Sequence, residues 1–128
     1  MKPCILLIED NDPIRENTAE LLELSEYEVI VASSGKEALE MIINIKKPDL
    51  ILCDIMMPEM DGYEFLKIIK KQYQLTSIPF IFLTAYTEKK DIEKGLQMGA
   101  SDYIVKPFEP DDLIRTIRKY LPEQVSSL

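Results

Sequence analysis

PDLILCDIMMPEMDGYEFL, residues 48–66, carries four consecutive apolar residues, Leu50, Ile51, Leu52 and Cys53, that run directly into a carboxylate, Asp54. An apolar run rich in branched side chains, bounded by Pro48-Asp49 before it and by the Pro58 to Gly62 loop after it, reads as a strand buried on both faces. Asp54 is then its last residue. Strands of this kind belong to α/β sheets, whose ligands bind outside the carboxyl ends of the strands, so Asp54 points at the candidate site.

A single strand-end aspartate is ordinarily a loop cap. Here a second apolar run, Ile5 to Ile8, also ends in acid, Glu9-Asp10, before Asn11-Asp12-Pro13 opens a helix. If the two strands are neighbours, three carboxylates share one pocket. Like charges this close raise one another's pKa or require a cation, and a hard divalent ion held by oxygen ligands is the usual solution. Glu9, Asp10 and Asp54 are therefore expected to form a Mg²⁺ site.

The 128 residues suit one domain with its own core. The sequence has neither an apolar stretch of about 18 residues nor a basic leader followed by a long apolar segment, which leads to the expectation of a soluble cytoplasmic protein without membrane association. A net charge of −8 argues against direct nucleic-acid binding by this segment and points to protein partners. Cys4 and Cys53 begin and end neighbouring strands, roughly 15 Å apart at about 3.3 Å per residue, beyond disulfide reach. They are expected to be small core residues. The absence of histidine removes Ser-His-Asp chemistry and His-based metal sites. The four glycines fit neither GxGxxG nor GxxxxGK[ST], so a cradle for nucleotide phosphates is not expected.

Along the chain, Asp12 and Pro13 predict a helix start with Ile14, Thr18, Leu21 and Leu22 inward, ending near Ser25. Val29 to Ala32 follows as a strand. Ser34-Gly35-Lys36-Glu37 has the form of a capping box, opening a helix with Ala38, Ile42 and Ile45 on its inner face. Asp61 with Glu64 caps the next helix, which uses Phe65, Leu66, Ile69 and Tyr73. Phe80 to Leu83 is the fourth strand, ending in Thr84-Ala85. A weaker helix from about Glu88 to Met98 buries little beyond Ile92 and Leu96, and Gly99 suits its left-handed end. Low burial makes this helix a candidate mobile element. Tyr103 to Val105 is the fifth strand. Pro110 opens a last helix with Leu113, Ile114, Ile117 and Leu121 inward. Residues 1–121 are read as the domain and residues 122–128 as a tail or the start of a linker. Five strands alternating with five helices predict a doubly wound five-stranded parallel sheet.

Strand ends then carry Glu9-Asp10, Asp54, Thr84 and Lys106 along one sheet edge. Phosphoryl transfer is the chemistry that uses these groups together. Asp54 is the candidate nucleophile toward phosphorus, and the acidic pair is expected to hold a metal that neutralises phosphoryl oxygens. Lys106 adds a point charge and Thr84 a hydroxyl donor.

From Lys2 to about Leu121 the chain resembles the receiver domain of two-component response regulators. The resemblance rests on Glu9-Asp10, on the D-x-x-M-P-x-M-D-G run from Asp54 to Gly62, and on Thr84-Ala85, Tyr103 and Lys106-Pro107. It implies a flavodoxin-like (βα)5 fold with strand order 2-1-3-4-5. It also implies that Asp54 accepts phosphate from a histidine kinase or phosphotransfer protein. Mg²⁺ (or Mn²⁺) would be bound by Asp10, Asp54 and the Met56 backbone carbonyl, with Glu9 acting directly or through water. Thr84 and Tyr103 would form the switch, and the Lys106-Pro107 peptide would be cis. The output would pass to a downstream effector protein or a fused output domain. The side chains of Met56 and Tyr86 flank the in-line water path and are expected to slow hydrolysis. The winged-helix subfamily of these regulators dimerises through charged residues, two of which would fall at Ser101 and Thr116; this chain departs from that pattern. A Mg²⁺-dependent phosphatase of haloacid dehalogenase type is the alternative, but its second acid would fall at Met56, which has no proton to give.

Overall fold

The three central strands are apolar at every position before the acidic edge, and each must be covered on both sides. The computed structural model, which describes residues 2–75, 77–85 and 89–121, meets this requirement with a parallel sheet between two helical layers. The strands are β1 (Cys4–Ile8), β2 (Glu28–Ala32), β3 (Leu50–Asp54), β4 (Phe80–Thr84) and β5 (Asp102–Val105), in the order 2-1-3-4-5. The helices are α1 (Asp12–Leu24), α2 (Gly35–Asn44), α3 (Gly62–Gln72), α4 (Lys89–Gln97) and α5 (Pro110–Tyr120). The expected fold class and strand order are both observed.

Strand alternation divides the core in two. Leu6, Ile8, Ile51, Cys53, Phe80 and Phe82 face Ala38 of α2 and Phe65, Leu66 and Ile69 of α3. Ile5, Leu7, Leu50, Leu52, Ile81 and Leu83 face Leu22 of α1 and Leu113 and Ile117 of α5. Each such side chain, fully buried, contributes about 1.5–3 kcal/mol. Both cysteines are free and buried in this core, and burial pushes the Cys53 thiol well above its ordinary range, as expected for an unreactive packing residue.

Register sets the active edge. Ile8 pairs with Cys53 and Asp54 with Leu83, while Thr84 pairs with Val105. The residues just past Ile8, Thr84 and Val105 therefore emerge beside Asp54. Local chemistry stops the strands here and starts the helices. Ser34 accepts from the Glu37 N–H at 3.1 Å, and Asp61 accepts from the Glu64 N–H at 2.9 Å. Both caps are those expected.

Several local expectations are corrected. The cap of α1 is Asn11, whose Oδ1 accepts from the Ile14 N–H at 3.0 Å; Asp12 is already helical and ion-paired with Arg15. The Glu37 carboxylate takes the N–H of Ser33 instead of closing the box on Ser34. Ile45 is 67% exposed because α2 stops at Asn44 and the inward periodicity stops with it. Leu96 is exposed as well, and Gly95 is the α4 residue that buries. A Cβ on Gly95 would lie 2.9 Å from the Phe82 ring, so the missing side chain is what lets α4 approach the sheet. The left-handed φ of +108° at Gly99 agrees with its expected place beyond α4. The expected helix start at Glu88 and the tail at 122–128 lie outside the described residues.

Candidate functional site

β1 hands the chain to α1 through Glu9, Asp10 and Asn11, and β3 ends at Asp54. Glu9 and Asp54 are buried while Asp10 is exposed. Carboxylate oxygens of all three lie within 4.8 Å of one another, close to the separations needed by oxygens bound about 2.0–2.1 Å from one Mg²⁺. The donor set therefore fits a hard divalent cation.

Lys106 reaches the same pocket from the end of β5. Its Nζ is 2.5 Å from Glu9 Oε1 and 3.2 Å from Asp54 Oδ2. Burial alone would lower the ammonium's pKa, but the hydrogen bond to Glu9 and the charges of Asp54 and Glu9 outweigh it and raise the pKa. Lys106 is thus held charged. The Lys106-Pro107 peptide is cis, as expected.

The two buried acids titrate as a pair. Burial, then the hydrogen bond and charge of Glu9, push Asp54 up to about 7. Burial also acts to raise Glu9, but its bonds to Lys106 and Asp54 prevail and lower it. The shorter Lys106 bond accounts for the asymmetry, since it favours the ionised form of the acid it touches. Of the two, Asp54 is the acid whose ionised form is disfavoured, and Glu9 the one held ionised by Lys106.

The loop after β3 returns closely over this site. The Gly62 N–H donates to the Ile55 carbonyl at 2.8 Å, and a Cβ on Gly62 would sit 2.5 Å from the Asp54 carbonyl oxygen. Met57 is buried and Met60 half-buried, the latter filling the space left by Gly35, where a Cβ would meet its sulfur at 2.6 Å. These two methionines anchor the loop. Met56, in contrast, is 63% exposed.

Thr84 is buried at the end of β4, and by register it shares a sheet face with Tyr103, which pairs with Phe82. Both line a cavity of about 10 Å³ together with Ile55, Phe82, Ile92 and Gly95. Glu9, Asp10, Asp54 and Lys106 thus converge, while Thr84 and Tyr103 meet beneath α4. Tyr86 lies outside the described residues.

Arg15 was not distinguished by any motif. From the first turn of α1, its guanidinium donates to the Glu9 carbonyl at 2.9 Å and to Asp12 Oδ1 at 2.6 Å. The only sequence signal for it is the i,i+3 spacing from Asp12. At the positions where the winged-helix subfamily carries dimer charges, the Ser101 hydroxyl accepts from the Phe80 N–H at 3.2 Å and the Thr116 hydroxyl donates to the Asp112 carbonyl at 2.9 Å.

A parallel sheet with an acidic trio and a lysine at its carboxyl edge defines a receiver-type phosphoacceptor domain, a regulatory module and not an enzyme. Residues 5–118 match the response regulator receiver domain family, and the chain belongs to it. It is 40% identical over 117 residues to the phosphate regulon transcriptional regulatory protein PhoB of Pseudomonas aeruginosa, covering 91% of this chain and 51% of that protein. It is 38% identical to the response regulator SaeR of Staphylococcus aureus over 117 residues, covering 91% and 50%. The chain spans about half the length of these curated relatives. Among solved structures, the chemotaxis protein CheY4 of Vibrio cholerae superposes with a TM-score of 0.88 at 32% identity, covering 94% of this chain and 99% of that one. Among the described residues, no helix is long and apolar enough to cross a membrane.

Proposed function

We propose that this domain is a phosphorylation-activated switch in which Asp54 takes a phosphoryl group from the phosphohistidine of a histidine kinase or phosphotransfer protein. The observation that carries this reading is the convergence of Lys106 on Glu9 and Asp54, within a trio of carboxylates spaced for one cation. An Asp54 oxygen attacks phosphorus as the bond from phosphorus to the imidazole nitrogen breaks, leaving an acyl phosphate and a free imidazole. Asp54 attacks in its ionised form, which burial and Glu9 disfavour and the nearby positive charges favour. Asp10, Asp54 and the Met56 carbonyl, with Glu9 directly or through water, would hold Mg²⁺ (or Mn²⁺), which supplies positive charge for the phosphoryl oxygens. Lys106 supplies a second positive charge that is already in place.

Thr84 and Tyr103 carry the signal away from the site in this reading. The phosphoryl group offers the Thr84 hydroxyl a charged acceptor, and movement of Thr84 toward it frees space under α4 for the Tyr103 ring. The cavity they share, about 10 Å³, is near the minimum for one water molecule. Entry of the ring therefore requires α4 to move. Because α4 buries only Gly95 completely among its own residues, that movement breaks few apolar contacts. The output face would be α4, β5 and α5, read by an effector protein or by an output domain on the same polypeptide. Residues 1–121 form the receiver in this reading, and 122–128 are its tail or the start of a linker.

The test is intact-mass measurement after acetyl phosphate treatment. Wild type should gain one phosphoryl group in the presence of Mg²⁺, and neither Asp54→Asn nor wild type in EDTA should gain any. Labelling of Asp54→Asn, or labelling in EDTA, would overturn the assignment.

A further inference from the structure

Asp10 belongs to the acidic trio, yet among the described residues no hydrogen bond or ion pair holds its carboxylate. Glu9 is fixed by burial and by Lys106, and Asp54 by the strand that ends in it. Asp10 is placed only by its backbone, in the short connection between β1 and α1. Arg15 braces that connection on both sides of Asp10. One guanidinium nitrogen donates to the Glu9 carbonyl at 2.9 Å, immediately before Asp10, and another to the Asp12 carboxylate at 2.6 Å, two residues after it. The Arg15 side chain is only 17% exposed, and its bond to the Glu9 carbonyl is partly buried, whereas the Asp12 carboxylate lies in solvent. Helix α1 is tied to the same segment, since the Arg15 N–H donates to the Asn11 carbonyl at 2.9 Å.

We infer that Arg15 is a positioning residue for the cation site, its planar fork setting the backbone of Glu9 to Asp12 so that the Asp10 carboxylate meets those of Glu9 and Asp54. This rests on the reading of those three acids as the site that holds Mg²⁺. Two donors in one rigid plane suit the role, whereas a lysine presents a single point charge and cannot span both acceptors in that geometry. The inference also has a distinctive sign. A positive charge near a cation site repels the ion, so if Arg15 acted only through its charge, removing it would tighten Mg²⁺ binding. A positioning role requires removal to weaken it.

Calorimetric titration of Mg²⁺ into the full chain separates these outcomes, with metal-free thermal melting recorded for each variant. Removing groups that orient metal ligands typically costs 10- to 100-fold in affinity. Arg15→Ala and Arg15→Lys should each weaken Mg²⁺ binding by about tenfold, at the lower end of that range because Asp10 is exposed. Arg15→Lys should also melt close to wild type without metal. It keeps the charge and most of the aliphatic stem, so it carries the test if Arg15→Ala does not fold. Asp10→Asn should lose most of the binding. Wild-type or tighter affinity in Arg15→Lys overturns the inference while leaving the site reading intact. A wild-type protein that binds no Mg²⁺, or an Asp10→Asn protein that binds it normally, overturns the site reading and this inference with it.

Discussion

Lys106 Nζ lies 2.5 Å from Glu9 Oε1, bridging 97 positions of sequence, and this contact is shorter than its 3.2 Å approach to Asp54. The lysine thus compensates Glu9, the more buried acid, most directly and leaves Asp54 less tightly held. Replacing Lys106 by Met should leave two buried acids without their cation, at a cost of about 1–3 kcal/mol in metal-free stability. Mg²⁺ should recover part of the loss by supplying the missing charge. Urea denaturation of wild type and Lys106→Met, with and without Mg²⁺, checks both points; equal losses in the two conditions would contradict the shared-charge explanation.

The raised pKa of Asp54 predicts that metal binding to the acidic trio depends on pH. Asp54 is raised from 3.8 to about 7, so its contribution to metal-free stability is complete below pH 4 and lost as pH rises through about 7. Glu9 is lowered from 4.5, so its contribution is present above that value and lost as pH falls through its folded pKa. The metal-free protein should accordingly be most stable near pH 4 to 4.5 and lose stability progressively as pH rises toward 7. Mg²⁺ must displace the proton, so its affinity should fall by up to about tenfold per pH unit below pH 7. Calorimetry in two buffers of different ionisation enthalpy should register proton release at pH 6 and little at pH 8.

Gly62 is required by sterics. The atoms that a Cβ would meet, the Asp54 carbonyl oxygen at 2.5 Å and Ile55 Cα at 2.9 Å, are backbone and cannot rotate away. Gly62→Ala should destabilise the domain by about 1–3 kcal/mol through overpacking and should slow phosphorylation by displacing Asp54. Gly35→Ala, which meets the end of the flexible Met60 side chain, should be milder. Denaturation midpoints and acetyl phosphate labelling rates of the two variants provide the comparison.

Thr84→Ala should leave Asp54 phosphorylatable but blunt the response of α4 and Tyr103. One hydrogen bond to a charged group contributes about 1.5–3 kcal/mol, roughly a ten- to hundredfold shift. Complete switching needs about 10⁴, so an active-like minority should exist before phosphorylation. Chemical shifts on adding Mg²⁺ and beryllofluoride should change across residues 89–105 in wild type and much less in Thr84→Ala. A full response in the variant would remove Thr84 from the coupling.

Hydrolysis of the acyl phosphate should be slow, because neither Met56 nor Tyr86 is suited to orient an attacking water. Met56→Asn, at a position that is already 63% exposed, and Tyr86→Ala should each shorten the phosphorylated lifetime several-fold without lowering stability. Mass spectrometry over time measures this, and unchanged or longer lifetimes in both variants would count against it.

Strand and helix alternation was legible from residues 4–121 because each buried strand must be apolar on both faces and each break is written locally in Pro, Gly, Ser and Asp. Caps such as Ser34 and Asp61 act over three residues, so their chemistry is visible in a short window. The acids and the lysine were visible for a related reason, since polar residues directly after apolar strands must emerge at one sheet edge. The same local logic failed at Ile45 and Leu96, where helix endings and the close approach of Gly95 decide which side chains are covered.

By itself, then, the sequence determined the layers of the fold, the edge that bears the chemistry and the residue types assembled there. Only the tertiary structure decided that Lys106 pairs most closely with Glu9, that burial and Glu9 raise the Asp54 pKa, that Thr84 and Tyr103 line one cavity, and that Arg15 spans the residues around Asp10. The physical reason is that electrostatic and steric terms depend on distances between side chains brought together by strand register and helix docking. The 2.5 Å and 3.2 Å approaches of Lys106 to Glu9 and Asp54 differ by less than an ångström, and no local pattern of residues encodes a separation that small.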